Sequence, residues 1–186
     1  MAQGQRTGST AFVSTNDILV SAFSNFTHSD VSMMAINWRG KISDCTEQDV
    51  GNYVDLMCYT PADYASPALI RKSISPEEGP YTGAAHPRAR LPSNWEHLTG
   101  GTYAAMTNWA SFAKPLALSG AEQDLHIPLF EWNKACPACV VSSMVIFQPC
   151  AGRVGVMVAG KRDLVEAVRR SGMVGCLLPA NLAHQA

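Results

Sequence analysis

Two cysteines open the chemical inventory. Cys136-Pro137-Ala138-Cys139 has the C-x-x-C spacing of a redox pair or of half a zinc site. A redox pair ordinarily opens a helix, whose amino-terminal dipole lowers the thiol pKa, whereas the residues after Cys139 begin a strand-like run. A structural zinc needs two further ligands; Cys150, Cys58 and His126 are candidates, but no second C-x-x-C exists. The third reading is a loop entering a strand with two small buried thiols. His126 and Glu131 are the other candidates: His126 could act as a general base if a neighbour orients it and a substrate comes within reach. The plain alternative is a packed or partly exposed histidine. There is no glycine-rich phosphate loop, no G-x-S-x-G elbow and no paired metal-carboxylate spacing, so no serine nucleophile is nominated.

The elements that would position these residues follow from periodicity. Ser14 caps a helix running to Phe26, with Asp17 completing the capping-box spacing and placing a negative charge in the first turn. Ile18, Leu19, Ala22, Phe23 and Phe26 share one face. Val31 to Arg39 reads as a strand with neither face strongly polar, hence covered on both sides. A polar loop, Lys41 to Val50, ends at Gly51-Asn52, and Tyr53 to Tyr59 is the next strand. Ser66-Pro67 opens a helix to Ile74. Ser75 to Asn94 is a long loop rich in proline, glycine and charge. Trp95 to Phe112 is predicted to hold a helix or an irregular packed segment, broken at Gly100-Gly101, and Leu125 to Trp132 a short strand. Val140 to Gln148 and Val154 to Ala159 make a hairpin about Pro149-Cys150-Ala151-Gly152. Lys161 to Ser171 is the closing helix, stopped by Gly172. Trp38, Trp95, Trp109 and Trp132 read as core or interface anchors. The sum is an α+β domain with a mixed β-sheet covered by helices. It spans residues 14–175, between an N-terminal arm (1–13) and a tail (176–186).

Composition bounds the partners. The chain has 186 residues, 47% of them apolar and only 16% charged, where roughly a quarter is usual. Either the surface is rich in Ser, Thr and Gly, or part of it is covered by a partner. Net charge is −1 with no basic run, which argues against nucleic acid. The longest apolar stretch, Cys139 to Phe147, is interrupted by Ser142-Ser143 and too short to span a bilayer. The polar segment Met1 to Ser9 lacks the apolar core of a signal peptide. The six cysteines (Cys45, Cys58, Cys136, Cys139, Cys150 and Cys176) are therefore expected as reduced, largely buried thiols in an intracellular, reducing compartment; an organelle is compatible with this but not specified.

Several landmarks then fall in the order of a known family. Ser14-Thr15-Asn16-Asp17-Ile18-Leu19 resembles its S/T-T-x-D-hydrophobic helix start, and Ala35-Ile36-Asn37-Trp38-Arg39-Gly40 its following strand ending in arginine. Gly51-Asn52 resembles its G-N pair, although the loop before it lacks the usual prolines. Asn108-Trp109-Ala110-Ser111-Phe112 resembles its T/S-S-W-x-x-F segment, and Val145 to Met157 with the helix beyond resembles its closing hairpin and helix. From Ser14 to about Met173 the chain thus resembles the C-terminal half of an HxxxD-type CoA-dependent acyltransferase, the group of the plant BAHD enzymes, chloramphenicol acetyltransferase and peptide-synthetase condensation domains. The resemblance implies a chloramphenicol-acetyltransferase-like half-domain. It also implies a structural pin between Arg39 and Asp124, although Gln123-Asp124-Leu125-His126-Ile127-Pro128 keeps only the aspartate and a trailing proline of the D-F-G-W-G motif. His126 and Trp132 would face the tunnel or its interface.

In that family the catalytic histidine belongs to the other half. None of the five histidines here (His28, His86, His97, His126, His184) begins an HxxxD motif. The resemblance therefore implies a domain without a catalytic residue or cofactor of its own, with Asp17, Arg39, Gly51, Asn52, Trp109 and Asp124 as structural equivalents. The expected role is a binding or scaffold subunit, in an assembly that could be organellar or membrane-associated, whose exposed half-domain face is covered by another protein chain. The alternatives are half of a split acyltransferase, completed by a separate HxxxD chain that would transfer an acyl group from CoA, and a homodimer imitating two halves.

Overall fold

A computed structural model describes residues 12–40, 46–74, 102–112, 119–121, 126–128, 140–160 and 162–172. Helix α1 (Thr15–Thr27) leads into β1 (Val31–Asn37), followed by β2 (Val54–Tyr59), the single turn α2 (Pro61–Tyr64) and α3 (Pro67–Ser73). Then come β3 (Tyr103–Asn108), a 3₁₀ turn (Ala110–Phe112), β4 (Val140–Phe147), β5 (Gly155–Ala159) and α4 (Arg162–Arg170). The strands form one five-stranded sheet in the order β2-β1-β3-β4-β5. The centre is parallel (β1 with β3, β3 with β4), and each edge is antiparallel (β2 on β1, β5 on β4). The architecture is α+β with a mixed sheet.

The pleat sorts the core. Met34 and Ile36 of β1, Met57 and Tyr59 of β2, Ala104 and Met106 of β3, and Met144 and Ile146 of β4 share one face of the sheet. Against them pack Leu19, Val20 and Phe23 of α1, Ile70 of α3, and Leu164 and Val168 of α4. The spacings 19/20/23 and 164/168 are helical neighbours, so each helix turns one apolar stripe to the sheet. Burying each such side chain contributes about 1.5–3 kcal/mol. On the other face Met33, Cys58 and Tyr103 form a smaller buried cluster, with Val31 and Ala105 against it. Val145 and Phe147 are buried on that face as well. The two-sided burial expected of the first strand is therefore observed in β1. Gly155 is paired with Phe147, and a Cβ there would lie 2.8 Å from the phenyl Cζ, so the ring occupies the space a side chain would need.

The element between Gly101 and Phe112 corrects the sequence reading. Residues 103–108 are neither helix nor irregular; they are the central strand β3. Ala and Met favour helices, which misled the periodicity. Flanked by β1 and β4, the segment alternates instead, with Ala104 and Met106 toward the helices and Tyr103 and Ala105 toward the other face. Of the strand predicted over Leu125 to Trp132, residues 126–128 are in no strand, and the remainder lies outside the described residues. The helix before the second crossover is preceded by the extra turn α2, started by Pro61 behind Thr60. The hairpin and closing helix stand within a residue or two of expectation, with Gly172 at φ +67° ending α4.

The α1–β1 junction is clamped at the amino end of the parallel strands. His28 caps α1 in the left-handed region at φ 48°. Asp30 Oδ2 accepts from the Thr102 amide (2.7 Å) and hydroxyl (3.0 Å), while the Asp30 amide donates to Thr102 O at 2.8 Å. These bonds hold the Asp30 carboxyl below its ordinary pKa, the Thr102 amide being the largest cause. The buried Tyr64 hydroxyl donates to Ser29 O at 2.6 Å; burial, and then the charge of Asp30, raise its pKa.

Candidate functional site

In sheets with parallel strands, ligands tend to bind beyond the carboxyl ends. That end of β1, β3 and β4 carries a cluster of polar side chains. Because α1 runs back along the sheet, its first turn lies over this end. Ser14, with its extended backbone, closes a reciprocal cap: the Asp17 amide donates to Ser14 Oγ (3.4 Å), and Asp17 Oδ2 accepts from the Ser14 amide and hydroxyl, both at 2.8 Å. Arg71 of α3 adds Nε at 2.8 Å and a terminal nitrogen at 2.7 Å to the same oxygen. Asp17 is fully buried, whereas the Arg71 side chain is 21% exposed. The guanidinium also stacks over Phe12, 4.7 Å from the ring centroid. Asp17 Oδ1 has no hydrogen-bond partner among the described residues.

Beside this knot, Asn108 at the end of β3 donates through Nδ2 to Asn16 Oδ1 at 2.9 Å. Its own oxygen accepts the Ala110 amide at 2.9 Å, which starts the 3₁₀ turn. Trp109, half-buried between them, donates its amide to Ile146 O at 2.7 Å and ties β3 to β4. Thus two landmarks distant in sequence, the S-T-N-D helix start and the N-W-A-S-F segment, meet through an Asn–Asn bond.

Arg39 serves a second, separate knot. Its Nε donates to Asp49 O (2.8 Å), one terminal nitrogen to Asn37 Oδ1 (3.4 Å) and the other to Gly51 O. The guanidinium lies 5.0 Å from the centroid of the Tyr53 ring. Gly51 adopts φ +133°, a conformation that disfavours any side chain, and Asn52 Oδ1 accepts the Val54 amide at 3.3 Å. The arginine and the Gly-Asn pair therefore act together to fold the β1–β2 connection back onto the strand end. Asp124, the partner implied for Arg39, lies outside the described residues, as do Trp132, Glu131, Cys136 and Cys139. His126 is exposed, and its amide donates to Pro149 O at 2.8 Å, beside the β4–β5 turn.

What can this arrangement do chemically? The proton of Ser14 Oγ points to a carboxylate oxygen that already holds an amide and a guanidinium. That oxygen is already engaged by the Ser14 cap and the Arg71 guanidinium, so it is not placed to relay a proton to a substrate. No imidazole stands between hydroxyl and carboxylate as a triad would require. The cluster is suited to fixing α1 and α3 over the strand ends. Cys58 is buried, with its Sγ 4.0 Å from Leu56 O, and Cys150 is a free thiol. Among the described residues no group of three His, Cys, Asp or Glu side chains could hold a metal ion, and no described helix is long and apolar enough to cross a membrane.

Sequence reading missed Arg71 and the role of Asn108. Arg71 carries no motif; its one signal is that it follows the core residue Ile70 and so lies beside the helix stripe that faces α1. Asn108 stood within a quoted landmark, but only the pairing of β3 beside β1 brings it to Asn16. No family model, curated protein or solved structure matches this chain.

Proposed function

We propose that this chain is a non-catalytic, acyltransferase-like domain serving as a binding or scaffold subunit of a larger protein assembly, with an extrinsic place in an organellar or membrane-associated complex as one setting. The carrying observation is the state of the landmark aspartate. Asp17 is wholly buried and spends its bonded oxygen on the Ser14 cap and Arg71, so it holds the fold together. The lack of an HxxxD motif in the sequence supports the same reading. Exposed apolar side chains are a further support: Val50 is 94% exposed, Val54 49% and Leu56 40%, all at one margin of the sheet.

The competing reading is half of a split acyltransferase, in which this chain lends a tunnel wall to a separate chain bearing the histidine. Native-size measurement and capture from the source, followed by acyl-CoA turnover on the recovered complex, test the choice. The proposal expects a complex larger than the chain and no turnover that depends on this chain. A lone monomer in the native source overturns it. So does turnover by the purified chain that is lost in His126→Ala.

A further inference from the structure

The exposed margin at β2 has a defined hydrogen-bonding state. The Trp38 amide donates to Tyr53 O, and the β1–β2 register continues without a break from there to Ser32↔Tyr59. Antiparallel alternation then turns the backbone groups of Val54, Leu56 and Cys58 away from β1, toward the outer edge. Side chains occupy two of the outward amides: Asn52 Oδ1 takes Val54 N–H (3.3 Å), and Asp55 Oδ1 takes Leu56 N–H (2.7 Å). The edge is thus covered by short polar side chains that a competing strand can displace. β2 holds neither of the usual edge blockers, lysine or proline.

The chemistry beside the edge is asymmetric. At this margin Trp38, Tyr53, Val54 and Asp55 line an open groove of ≈ 370 Å³, with Asp55 on the helix-bearing face. Asp55 is exposed and makes no ion pair among the described residues. Arg39 is committed to Asp49 O and Gly51 O and stacks on Tyr53. On the opposite face Val54 and Leu56 offer exposed apolar surface.

We infer that the outer edge of β2 receives an extended peptide strand from another protein, one alternating basic and apolar residues. Its lysine or arginine lies opposite Asp55, with the aliphatic stem along Trp38, and its apolar residues cover Val54 and Leu56. An opposite-charge cross-strand pair favours this partner. A second copy paired about a two-fold axis at Asp55 would bring two Asp55 carboxylates together, and in any register it brings no lysine or arginine of β2 to Asp55, which disfavours it. The incoming cation draws the Asp55 carboxylate from Leu56 N–H and so frees that amide for the new ladder. The inference deepens the binding-subunit reading and rests on it.

The test titrates the whole chain with dye-labelled seven-residue peptides alternating valine with lysine, or valine with glutamate, followed by fluorescence anisotropy. A third peptide is the lysine peptide with a central proline. The lysine peptide should bind about ten-fold or more tighter than the glutamate peptide, and proline should abolish binding. Asp55→Lys should reverse the preference, Asp55→Asn should erase it, and amide exchange should slow at Val54 and Leu56. An unchanged circular dichroism spectrum certifies each variant as folded. Equal binding of both peptides, binding of neither, or full binding of the proline peptide overturns the inference. So does a self-associated dimer that protects the same amides, which would assign the edge to a second copy. Failure of the peptides while the native chain still sits in a complex sinks this edge alone; a native monomer sinks the binding-subunit reading itself.

Discussion

Asp17 and Asp63 stand third in near-identical helix starts, S-T-N-D and T-P-A-D, and both reach back to the residue that caps their helix. Asp63 Oδ2 accepts from the Thr60 amide at 2.8 Å and hydroxyl at 2.7 Å, as Asp17 Oδ2 does from Ser14. There the likeness ends. Asp63 is half-exposed at a single-turn helix and makes no ion pair among the described residues. Asp17 is fully buried and salt-bridged to Arg71, and its second oxygen has no partner among the described residues. The same local motif is a modest cap in one place and a tertiary rivet in the other. Burial makes the difference: water can offset the loss of a partner at Asp63, whereas Asp17 is shut off from water.

The comparison can be broken most sharply at Arg71. Arg71→Ala strands the Asp17 carboxylate in the core, and urea unfolding should show a loss of about 3–5 kcal/mol. A loss no larger than that of an exposed pair would mean that water reaches Asp17 and that the two boxes are equivalent. Next in size, Asp63→Ala removes a cap alone and should cost about 0.5–2 kcal/mol by the same measurement. A double-mutant cycle of Asp17→Ala with Arg71→Ala should show strong coupling, whereas Asp63→Ala with Arg71→Ala should be additive.

A third aspartate sharpens the contrast by titration. The Asp30 carboxyl is held below its ordinary value by Thr102, so the stability it contributes is complete above the unfolded pKa of about 3.9. That stability is lost as pH falls through the lower folded value. In acid titrations followed by circular dichroism, Asp30→Asn should therefore remove part of the destabilisation below about pH 4 and be nearly flat there relative to wild type. Its exposure keeps the effect small. Smallest of all, Arg169→Ala breaks an exposed pair with Glu166 (2.9 Å) on α4 and should change stability by less than about 0.5 kcal/mol. A larger change would show that surface pairs in this chain carry more than solvent screening permits.

These cases also mark where sequence reading reaches its limit. The Ser14/Asp17 cap was legible because capping acts within one turn, and so were the hairpin and the closing helix, whose stop signals are local. Gly51 at φ +133° and Asn52 on the Val54 amide likewise follow from residue type. β3 was not legible. Tyr-Ala-Ala-Met-Thr-Asn has no strong period, and its strand state comes from pairing with β1 on one side and β4 on the other. The ion pair to Arg71 was equally hidden, since Asp17 and Arg71 stand far apart in the chain and join only where α3 packs on α1. Arg39 follows β1, and its bonds among the described residues go to Asn37 Oδ1 and to the backbone at Asp49 and Gly51.

The helix starts at Ser14 and Ser66, the stop at Gly172 and the β4–β5 hairpin are readable from the chain alone, because they depend on contacts within a few residues; the α1 stripe was readable only in part, since Ile18 is exposed and Val20 is buried. The strand order, the depth at which Asp17 is buried, its ionic partner and the exposure of Val54 and Leu56 on β2 emerge only from the packed fold. Those depend on which surfaces exclude water together, and a linear pattern does not specify that.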